Sequence, residues 1–477
     1  MDDSQGKKEF EVEYTVKDAA SLVEMQTQSI DLVASVLGIQ KRYATSLLWQ
    51  FRWNTEILFE EYMESPEKAL EKTGIKTMEE IKLLQKKREL GSQSEEFECK
   101  ICFDDDPEMM TVGVGCGHRF CIDCYRKYIT FEITEGNNRN ITCPQEKCNA
   151  IADTETIEAL MIKDVYEKHK LFLNQLFVQD QASMRWCPGI DCEYAVECNI
   201  PSTSLVSIIP IVKCFCGHEF CFGCGLSDHR PAICALVKKW MAQCAQDLET
   251  LSWIKNSTKQ CPKCEALIEK WGGCNHMTCK KCRHGFCWVC KEPWRKHGLD
   301  AYTCHKYKAE SVNSDDCSKY ARRNVERYLH YYERYMNHQT SARLDNELFR
   351  RKPIDIKEIE EMEEDGTLPC FRVKTLKDAW EITVKSRNTL KWAYVLAFYM
   401  KETNALDLFE KNQRELEMAI ESLSESLGSG NGLRYDVGYE LILDKYTYAK
   451  QRLQNFLDYI STEIFEESIE FTVDLRQ

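Results

Sequence analysis

The sequence predicts a multidomain protein in which three small metal-binding modules lie between an N-terminal helical bundle and an all-α C-terminal domain. Two observations predict this order. The chain has 26 cysteines among 477 residues, and 24 of them lie between Cys99 and Cys304. The two flanks are nearly free of cysteine and carry apolar residues at helical spacing. The middle is therefore predicted to fold around metal ions and the flanks around apolar cores.

Charge and composition argue against several classes of protein. The formal net charge is −14, and residues 99–304 carry 24 basic against 25 acidic groups. A nucleic-acid binder needs a basic face, because phosphate contacts supply most of its affinity. No run approaches the roughly 18 apolar residues that span a bilayer, and the N-terminus lacks the apolar core of a secretory signal. We therefore expect no nucleic-acid or membrane partner. We also expect a reducing compartment, the cytoplasm and also the nucleus, with no disulfide framework.

The N-terminal flank is predicted to be an acidic tail over 1–14 and a bundle of three short helices over 15–75. Thr15 and Asp18 have the spacing of a helix start, with the Thr15 hydroxyl capping and Asp18 in the first turn. Periodicity alone fits a protein-binding bundle and a structural cap equally well. A linker helix is predicted over 76–98.

The first cysteine cluster, over 99–150, offers eight metal ligands in four pairs. Tetrahedral zinc takes four Cys or His ligands, which usually arrive as close pairs. The order of the pairs suits interleaved binding, with pairs one and three on one zinc and pairs two and four on the other. The ligands are Cys99, Cys102, Cys116, His118, Cys121, Cys124, Cys143 and Cys148.

The second cluster, over 183–236, offers eight more ligands, and here two zinc sites would follow each other along the chain. Linker helices are predicted on either side, over 151–182 and 237–258. The ligands of the first site are Cys187, Cys192, Cys214 and Cys216, and those of the second are Cys221, Cys224, His229 and Cys234.

The third cluster, over 259–304, offers ligands for two further zinc ions, which makes six per chain. One cysteine of this segment, Cys274, is left over once eight ligands are assigned. The ligands are Cys261, Cys264, Cys279, Cys282, Cys287, Cys290, His297 and Cys304.

Cys274 is the candidate nucleophile. It follows Gly272 and Gly273, which allow a tight turn and the close approach of another backbone. His276 is near enough in sequence to act as a base for the thiol. The alternative is that Cys274 is a zinc ligand and another cysteine of the segment is free, since spacing permits both. Four cysteines have no motif around them and are interpreted as small buried hydrophobes, namely Cys198, Cys244, Cys317 and Cys370.

The C-terminal flank, over 305–477, is predicted to be an all-helical domain large enough for its own core. Val325, Tyr328 and Tyr332 fall on one helical face. Residues 392–400 are almost wholly apolar, which predicts a helix buried on all sides.

Three double-zinc modules in this order resemble the RING-between-RING ubiquitin ligases, and several segments resemble their Ariadne subfamily in particular. The modules correspond to a first RING, an in-between-RING (IBR) module and a catalytic second RING. The bundle and the helical domain correspond to a ubiquitin-associated-like domain and an Ariadne domain. The segments that carry the subfamily resemblance are 263–277, Phe286-Cys-Trp-Val-Cys290, Pro293-Trp294, His297-Gly298, 332–338, 397–400, Phe409-Glu410 and Asn412-Gln413.

The resemblance implies a two-step acyl transfer. The first RING would bind a ubiquitin-conjugating enzyme charged with ubiquitin, with Ile101 at the matching contact position. Cys274 would accept ubiquitin as a thioester, and a lysine of a protein substrate would then attack that thioester. His276 matches the family histidine that helps to deprotonate this amine. The zinc ions would be structural, since four protein ligands close each site.

One position departs from the family pattern. Many members carry a Glu two residues before the cysteine that matches Cys287, and this chain has Gly285 there. His276 would therefore act without a carboxylate, or a different acid such as Glu269 would approach it.

The resemblance also implies autoinhibition. The Ariadne domain would fold back over Cys274, with Phe409 and Glu410 at the contact. The N-terminal bundle matches a domain that in relatives docks on a cullin carrying its ubiquitin-like modifier. A modified cullin-RING ligase is therefore an expected partner.

Two other functions remain open. A non-covalent RING adaptor would activate the conjugating enzyme without a thioester of its own, and ligation would then survive the loss of Cys274. A structural or nucleic-acid-binding zinc protein would instead show salt-sensitive binding to nucleic acid.

Overall fold

The computed structural model describes thirteen segments, which fall into two compact units. The N-terminal unit comprises described residues of Glu13–Asn199 and Val212–His218, and the C-terminal unit those of Met1–Val12, Ile200–Ile211 and Glu219–Gln477. Among the described residues, no helix combines the length and apolar character needed to cross a membrane. The described segments are 11–72, 97–106, 108–113, 116–135, 141–148, 150–152, 154–246, 258–270, 272–297, 304–307, 317–351, 370–428 and 436–475.

The N-terminal unit begins with a short strand and a helical bundle. Strand β1 is Thr15–Lys17, and the helices are α1 (Ala19–Leu37), α2 (Lys41–Gln50), α3 (Thr55–Glu64) and α4 (Pro66–Lys72). Leu22, Val33, Leu47 and Leu58 are fully buried and form the centre of the bundle. These helices lie where the sequence predicted a helical bundle, whereas most of the predicted linker helix over 76–98 lies outside the described residues.

The predicted cap of the first helix is wrong. Thr15 belongs to strand β1 and pairs with Glu197, and the helix begins only after Asp18. The Asp18 carboxylate accepts a hydrogen bond from the backbone N–H of Ser21 at 2.8 Å, so Asp18 is itself the N-cap. Pairing with Glu197, 182 residues away, overrides the local capping signal.

The rest of the N-terminal unit holds the first RING and part of the IBR module. Its elements are β2 (Thr111–Val112), β3 (Phe120–Cys121), α5 (Ile122–Thr134), α6 (Thr154–Leu160), α7 (Lys163–Asp180), β4 (Met184–Trp186) and β5 (Ala195–Glu197). Strands β2 and β3 form a hairpin, and β1, β5 and β4 form an antiparallel sheet with β5 in the middle. Two helices, α6 and α7, lie where linker helices were predicted.

The C-terminal unit holds the second RING and the helical domain. Strand β6 (Ile211–Lys213) begins at the last residue of the segment Ile200–Ile211, and the chain returns to the C-terminal unit with β7 (Glu219–Cys221) and α8 (Cys234–Gln246). The second RING has two antiparallel hairpins, β8 (Thr258–Gln260) with β9 (Leu267–Glu269) and β10 (His276–Thr278) with β11 (Gly285–Cys287). The helical domain consists of α9 (Cys317–Arg351), α10 (Cys370–Tyr399), α11 (Asn404–Gly428) and α12 (Asp436–Phe465).

One apolar core joins the four long helices to α8. Trp240 of α8 is fully buried, and its indole contacts the rings of Tyr328, Tyr332 and Phe398. Eight of the nine residues over 392–400 are buried, as predicted for a helix covered on all sides. Val325 does not share the predicted buried face, since 56% of it is exposed. The predicted fold class, zinc modules between helical ends, is confirmed.

Candidate active site and metal centres

In the part of the chain that the structure describes, at least five groups of four Cys or His residues bring their ligand atoms to within 4.8 Å of one another. The first RING pairs its ligands in the interleaved order, and the IBR module pairs them in sequential order. The groups are Cys99, Cys102, Cys121 and Cys124; Cys116, His118, Cys143 and Cys148; Cys187, Cys192, Cys214 and Cys216; Cys221, Cys224, His229 and Cys234; Cys261, Cys264, Cys279 and Cys282.

The distances between ligand atoms fit zinc. A tetrahedral ion with Zn–S bonds of about 2.3 Å holds its sulfurs roughly 3.8 Å apart. The Sγ atoms of Cys102 and Cys121 are 3.7 Å apart, and those of Cys264 and Cys279 are 3.6 Å apart. All-thiolate and thiolate–imidazole sets with this spacing are typical of structural zinc, because four protein ligands leave no open position.

A sixth group completes the second RING. Cys290 Sγ lies 3.1 Å from Nε2 of His297, and the Cys304 thiol interacts with those of Cys287 and Cys290. Both groups of the second RING are therefore filled without Cys274, which leaves this thiol outside the described zinc sites.

Cys274 lies in the loop between β9 and β10, against the helical domain. Its Sγ is 3.9 Å from the backbone carbonyl oxygen of Glu421 on α11. A Cβ on Gly273 would lie 2.0 Å from a carboxylate oxygen of Asp345 on α9. Glycine at 273 lets the Asp345 carboxylate come this close, so the glycine before the thiol serves the contact with the helical domain.

The carboxylate of Glu421 binds the residue that follows Cys274. Its Oε2 accepts from the backbone N–H of Asn275 at 2.6 Å, and its Oε1 accepts from the Asn275 side-chain amide at 2.9 Å. Arg387 of α10 donates to the same Oε1 at 2.6 Å. All three residues are buried, so these charge-assisted bonds act in a water-poor environment.

Asp345 binds the residue that precedes Cys274. Its Oδ1 accepts from the backbone N–H of Gly273 at 2.9 Å and from the Ser424 hydroxyl at 3.3 Å. The Nε of Arg387 lies 3.4 Å from its Oδ2. One buried arginine thus links two carboxylates that hold the backbone on both sides of the thiol. We call Asp345, Arg387 and Glu421 the carboxylate clamp.

The clamp changes the protonation of the groups it encloses. Burial raises the pKa of the Cys274 thiol well above its ordinary value, and the Glu421 carboxylate raises it further. Burial opposes ionisation of Glu421 as well, but Arg387 and Lys270 hold its pKa below the ordinary value. Cys274 is therefore a neutral thiol beside a carboxylate anion, which is the unreactive form of a nucleophile.

His276 opens strand β10 and faces three groups. Its Nδ1 lies 3.2 Å from the carboxylate of Glu425 on α11, and its ring stacks on Trp294 with centroids 4.5 Å apart. A Cβ at position 285 would lie 3.3 Å from Nε2, so a side chain at position 285 would have little room beside this nitrogen. The sequence left open whether His276 acts without a carboxylate or with another acid such as Glu269. In the structure Glu269 is exposed on β9, and the acid that contacts His276 is Glu425 of the helical domain.

The other residues singled out from the sequence lie elsewhere. Phe409 is fully buried and packs on Phe456 with ring centroids 5.5 Å apart, inside the helical core. Glu410 forms an ion pair at 3.2 Å with Lys306, two residues after the zinc ligand Cys304. Ile101 is 41% exposed on the first RING. Among the described residues, the side chains that contact the loop of Cys274 include Asp345 and Glu421, whereas no contact from Phe409 or Glu410 to this loop is described.

Sequence reasoning missed the carboxylate clamp, although α11 carries a signal for part of it. Gln413, Glu417 and Glu421 recur every four residues and are buried, in phase with the apolar positions Leu416 and Ile420. Polar residues in the apolar phase of a helix indicate a buried polar network. Asp345 and Arg387 have no comparable signal, because charged residues occur throughout α9 and α10.

Cys274 should react slowly with iodoacetamide in the native chain. A thiol whose pKa burial raises well above the ordinary value has little of the reactive thiolate at pH 8, and burial also blocks access to the sulfur. We expect alkylation of Cys274 at pH 8 to be at least about tenfold slower than in the chain unfolded in urea with chelator. Mass spectrometry of the peptide that contains Cys274 measures both rates, and equal rates would contradict the buried site.

Models of known protein families match four segments of the chain. The zinc finger of C3HC4 type (RING finger) matches residues 99–145, and the IBR domain, a half RING-finger domain, matches residues 167–234. A second IBR domain model matches residues 256–305. The UBA-like domain of E3 ubiquitin-protein ligase ARIH1 matches residues 24–64.

Three curated proteins are similar over nearly the whole chain. E3 ubiquitin-protein ligase dbl4 of Schizosaccharomyces pombe is 39% identical over 97% of this chain and 90% of its own length. E3 ubiquitin-protein ligase ariadne-1 of Drosophila melanogaster is 34% identical over 96% of this chain and 90% of its own length. E3 ubiquitin-protein ligase ARIH1 of Homo sapiens is 33% identical over 95% of this chain and 80% of its own length.

Proposed function

The chain belongs to the Ariadne family of RING-between-RING E3 ubiquitin-protein ligases, and on that premise we propose that Cys274 carries ubiquitin as a thioester. The observation that supports Cys274 most strongly is its position outside the zinc groups of the second RING, in a glycine loop two residues before His276. Zinc supplies rigidity here, and the thiol supplies the chemistry.

The first step moves ubiquitin from the conjugating enzyme to this chain. The Cys274 thiolate attacks the carbonyl carbon of the thioester on the conjugating enzyme, a new C–S bond forms, and the old C–S bond breaks. The sulfur of the conjugating enzyme leaves as a thiolate and takes up the proton that the Cys274 thiol lost when it became a thiolate. Ile101 is the proposed contact for that enzyme, and the exposed Phe103 beside it extends the apolar surface.

The second step moves ubiquitin to a substrate lysine. The amine attacks the Cys274 thioester, a C–N bond forms, and the C–S bond to Cys274 breaks. His276 accepts the proton that the amine loses, which requires a neutral imidazole at the start. Its proton can then pass to the departing thiolate of Cys274, so the thiol is regenerated.

We further propose that the helical domain inhibits this reaction through the carboxylate clamp. Asp345 and Glu421 occupy the backbone N–H groups on both sides of Cys274, and Glu425 occupies Nδ1 of His276. Activation would then require these side chains to leave the loop. The ubiquitin-associated-like bundle is the proposed docking site for a modified cullin-RING ligase, whose binding would favour the open state.

A conjugating enzyme that passes ubiquitin only to thiols tests the proposed function. The full chain with this enzyme, ubiquitin and a lysine-bearing substrate should form isopeptide-linked product at a low rate, because opening of the helical domain limits the rate. A non-covalent adaptor gives no product with such an enzyme, since no thiol lies between it and the lysine. No product above the rate without the chain would contradict the proposal.

A further inference from the structure

Hydrogen-bond donors lie on both sides of Cys274, and carboxylates of the helical domain accept hydrogen bonds from them. The backbone N–H and the side-chain amide of Asn275 donate to the two oxygens of Glu421 at 2.6 and 2.9 Å. The backbone N–H of Gly273 donates to Asp345 at 2.9 Å. Successive backbone N–H groups that point into one concavity bind anions. This loop therefore binds anions next to the nucleophile.

The orientation of the Asn275 amide is fixed within the second RING. Its Oδ1 lies 3.0 Å from Nζ of Lys270, a buried ammonium that can only donate, so the amide nitrogen must point the other way. The backbone N–H of Trp288 donates to the carbonyl oxygen of Asn275 at 2.8 Å. Asn275 itself has no exposed surface. Neither Lys270 nor Trp288 belongs to the helical domain, so both contacts can persist when that domain leaves.

We propose that Asn275 is a catalytic residue whose backbone and side-chain N–H groups stabilise the oxyanion that forms during ubiquitin transfer at Cys274. In the closed state the Glu421 carboxylate mimics that oxyanion and occupies its site. This inference rests on the proposed function, because it assigns a role in the thioester chemistry of Cys274.

The chemistry of both transfer steps requires such a site. When a thiolate or an amine attacks a thioester carbonyl, the C=O electron pair moves onto oxygen and a tetrahedral intermediate with one negative charge forms. The intermediate collapses when the oxygen re-forms the C=O bond and the sulfur leaves. Donors already fixed in position stabilise this charge without reorganisation, and each contributes about 10²–10³-fold in rate.

The geometry at Asn275 matches these requirements. The backbone N–H of the residue after a nucleophile is a frequent oxyanion donor, because the chain fixes it beside the reacting carbonyl. The two donors of Asn275 hold carboxylate oxygens at 2.6 and 2.9 Å, close to the roughly 2.7–3.1 Å expected for an oxyanion. The carboxylate provides one oxygen to each donor. The same two donors would converge on the single thioester oxygen when the carboxylate leaves.

Single-turnover transfer from a charged conjugating enzyme tests the inference, in the full chain and in the full chain with Glu421→Ala, which opens the clamp. Asn275→Ala and the isosteric Asn275→Asp each remove the side-chain donor. Asn337→Ala is the matched control, since the Asn337 amide also contacts Lys270, at 3.1 Å, but comes from the helical domain. Zinc content checks that each variant folds. If the chain with Glu421→Ala fails to fold, the chain with Glu421→Gln serves as the open background instead.

In the open background, both Asn275 variants should lower the maximal rate of transfer by about 10²-fold. The concentration of charged enzyme at half-maximal rate should not change, and Asn337→Ala should match its parent. If Asn275 only helps to hold the clamp, its replacement leaves the maximal rate unchanged in the Glu421→Ala background and raises the rate in the otherwise native chain. Either result would overturn the inference. No thioester at all in the open parent would instead contradict the proposed function, so the two failures are distinguishable.

Discussion

Replacing Glu421 with alanine should raise the rate at which Cys274 accepts ubiquitin by about 10²-fold. The Glu421 carboxylate makes two hydrogen bonds to Asn275 in the second RING, both charge-assisted and buried. Such bonds contribute at least about 1.5 kcal/mol each. Their loss weakens the closed state by roughly 3 kcal/mol, and each 1.4 kcal/mol changes the open population about tenfold. The measurement is single-turnover loss of the charged conjugating enzyme.

Glu417→Ala is the matched control for this variant. Glu417 lies one turn earlier on α11 and is equally buried, but it binds His338 at 3.1 Å and the Tyr394 hydroxyl at 3.2 Å, both within the helical domain. Its loss should lower the thermal stability of the helical domain and leave the transfer rate within about threefold of the parent. Equal activation by both variants would mean that general destabilisation opens the site, and the specific role of Glu421 would be wrong.

Replacing Cys274 with alanine should remove ligation almost completely, by at least about 10³-fold in the Glu421→Ala background. The thiol is the atom to which ubiquitin is bound between the two steps, so no other side chain replaces it. Cys244→Ala is the control, because Cys244 is also outside the described zinc groups and is half-buried. It should keep the parent rate. Formation of isopeptide product from a thiol-only conjugating enzyme measures both.

Survival of ligation in Cys274→Ala at the parent rate would contradict the covalent mechanism. It would favour the adaptor, in which the first RING alone activates the conjugating enzyme. Loss of activity in both variants would instead mean that cysteine replacement damages folding, and Cys274 would have no special role.

The sequence predicted the zinc modules well because zinc binding is a local property. Four ligands in close pairs define a site, and pairs such as Cys99 with Cys102 are near one another in any fold. The remaining thiol, Cys274, could then be found by counting. The sequence alone does not decide whether Cys274 is a nucleophile or a zinc ligand. The distances between ligand atoms around Cys264 and Cys290 leave Cys274 outside the zinc groups.

The clamp could not be predicted in the same way, because its parts come from three helices. Asp345, Arg387 and Glu421 are more than 30 residues apart from one another and meet only when the helical domain is packed. Local periodicity gives the buried face of a helix but not the partner across the interface. The predicted helix cap at Thr15 was wrong for a related reason, since the pairing of Thr15 with Glu197 is long-range and outweighs a local capping pattern.

A single-turnover chase read on a non-reducing gel tests the central claim most directly, that Cys274 holds ubiquitin as a thioester. The full chain with Glu421→Ala is mixed with charged, thiol-only conjugating enzyme and stopped within seconds, with Cys274 native, replaced by Ser or replaced by Ala. We predict a reductant-sensitive adduct with Cys274, a reductant-stable ester with Cys274→Ser and no adduct with Cys274→Ala. A reductant-sensitive adduct that persists in Cys274→Ala, or ligation without any adduct, would contradict the account.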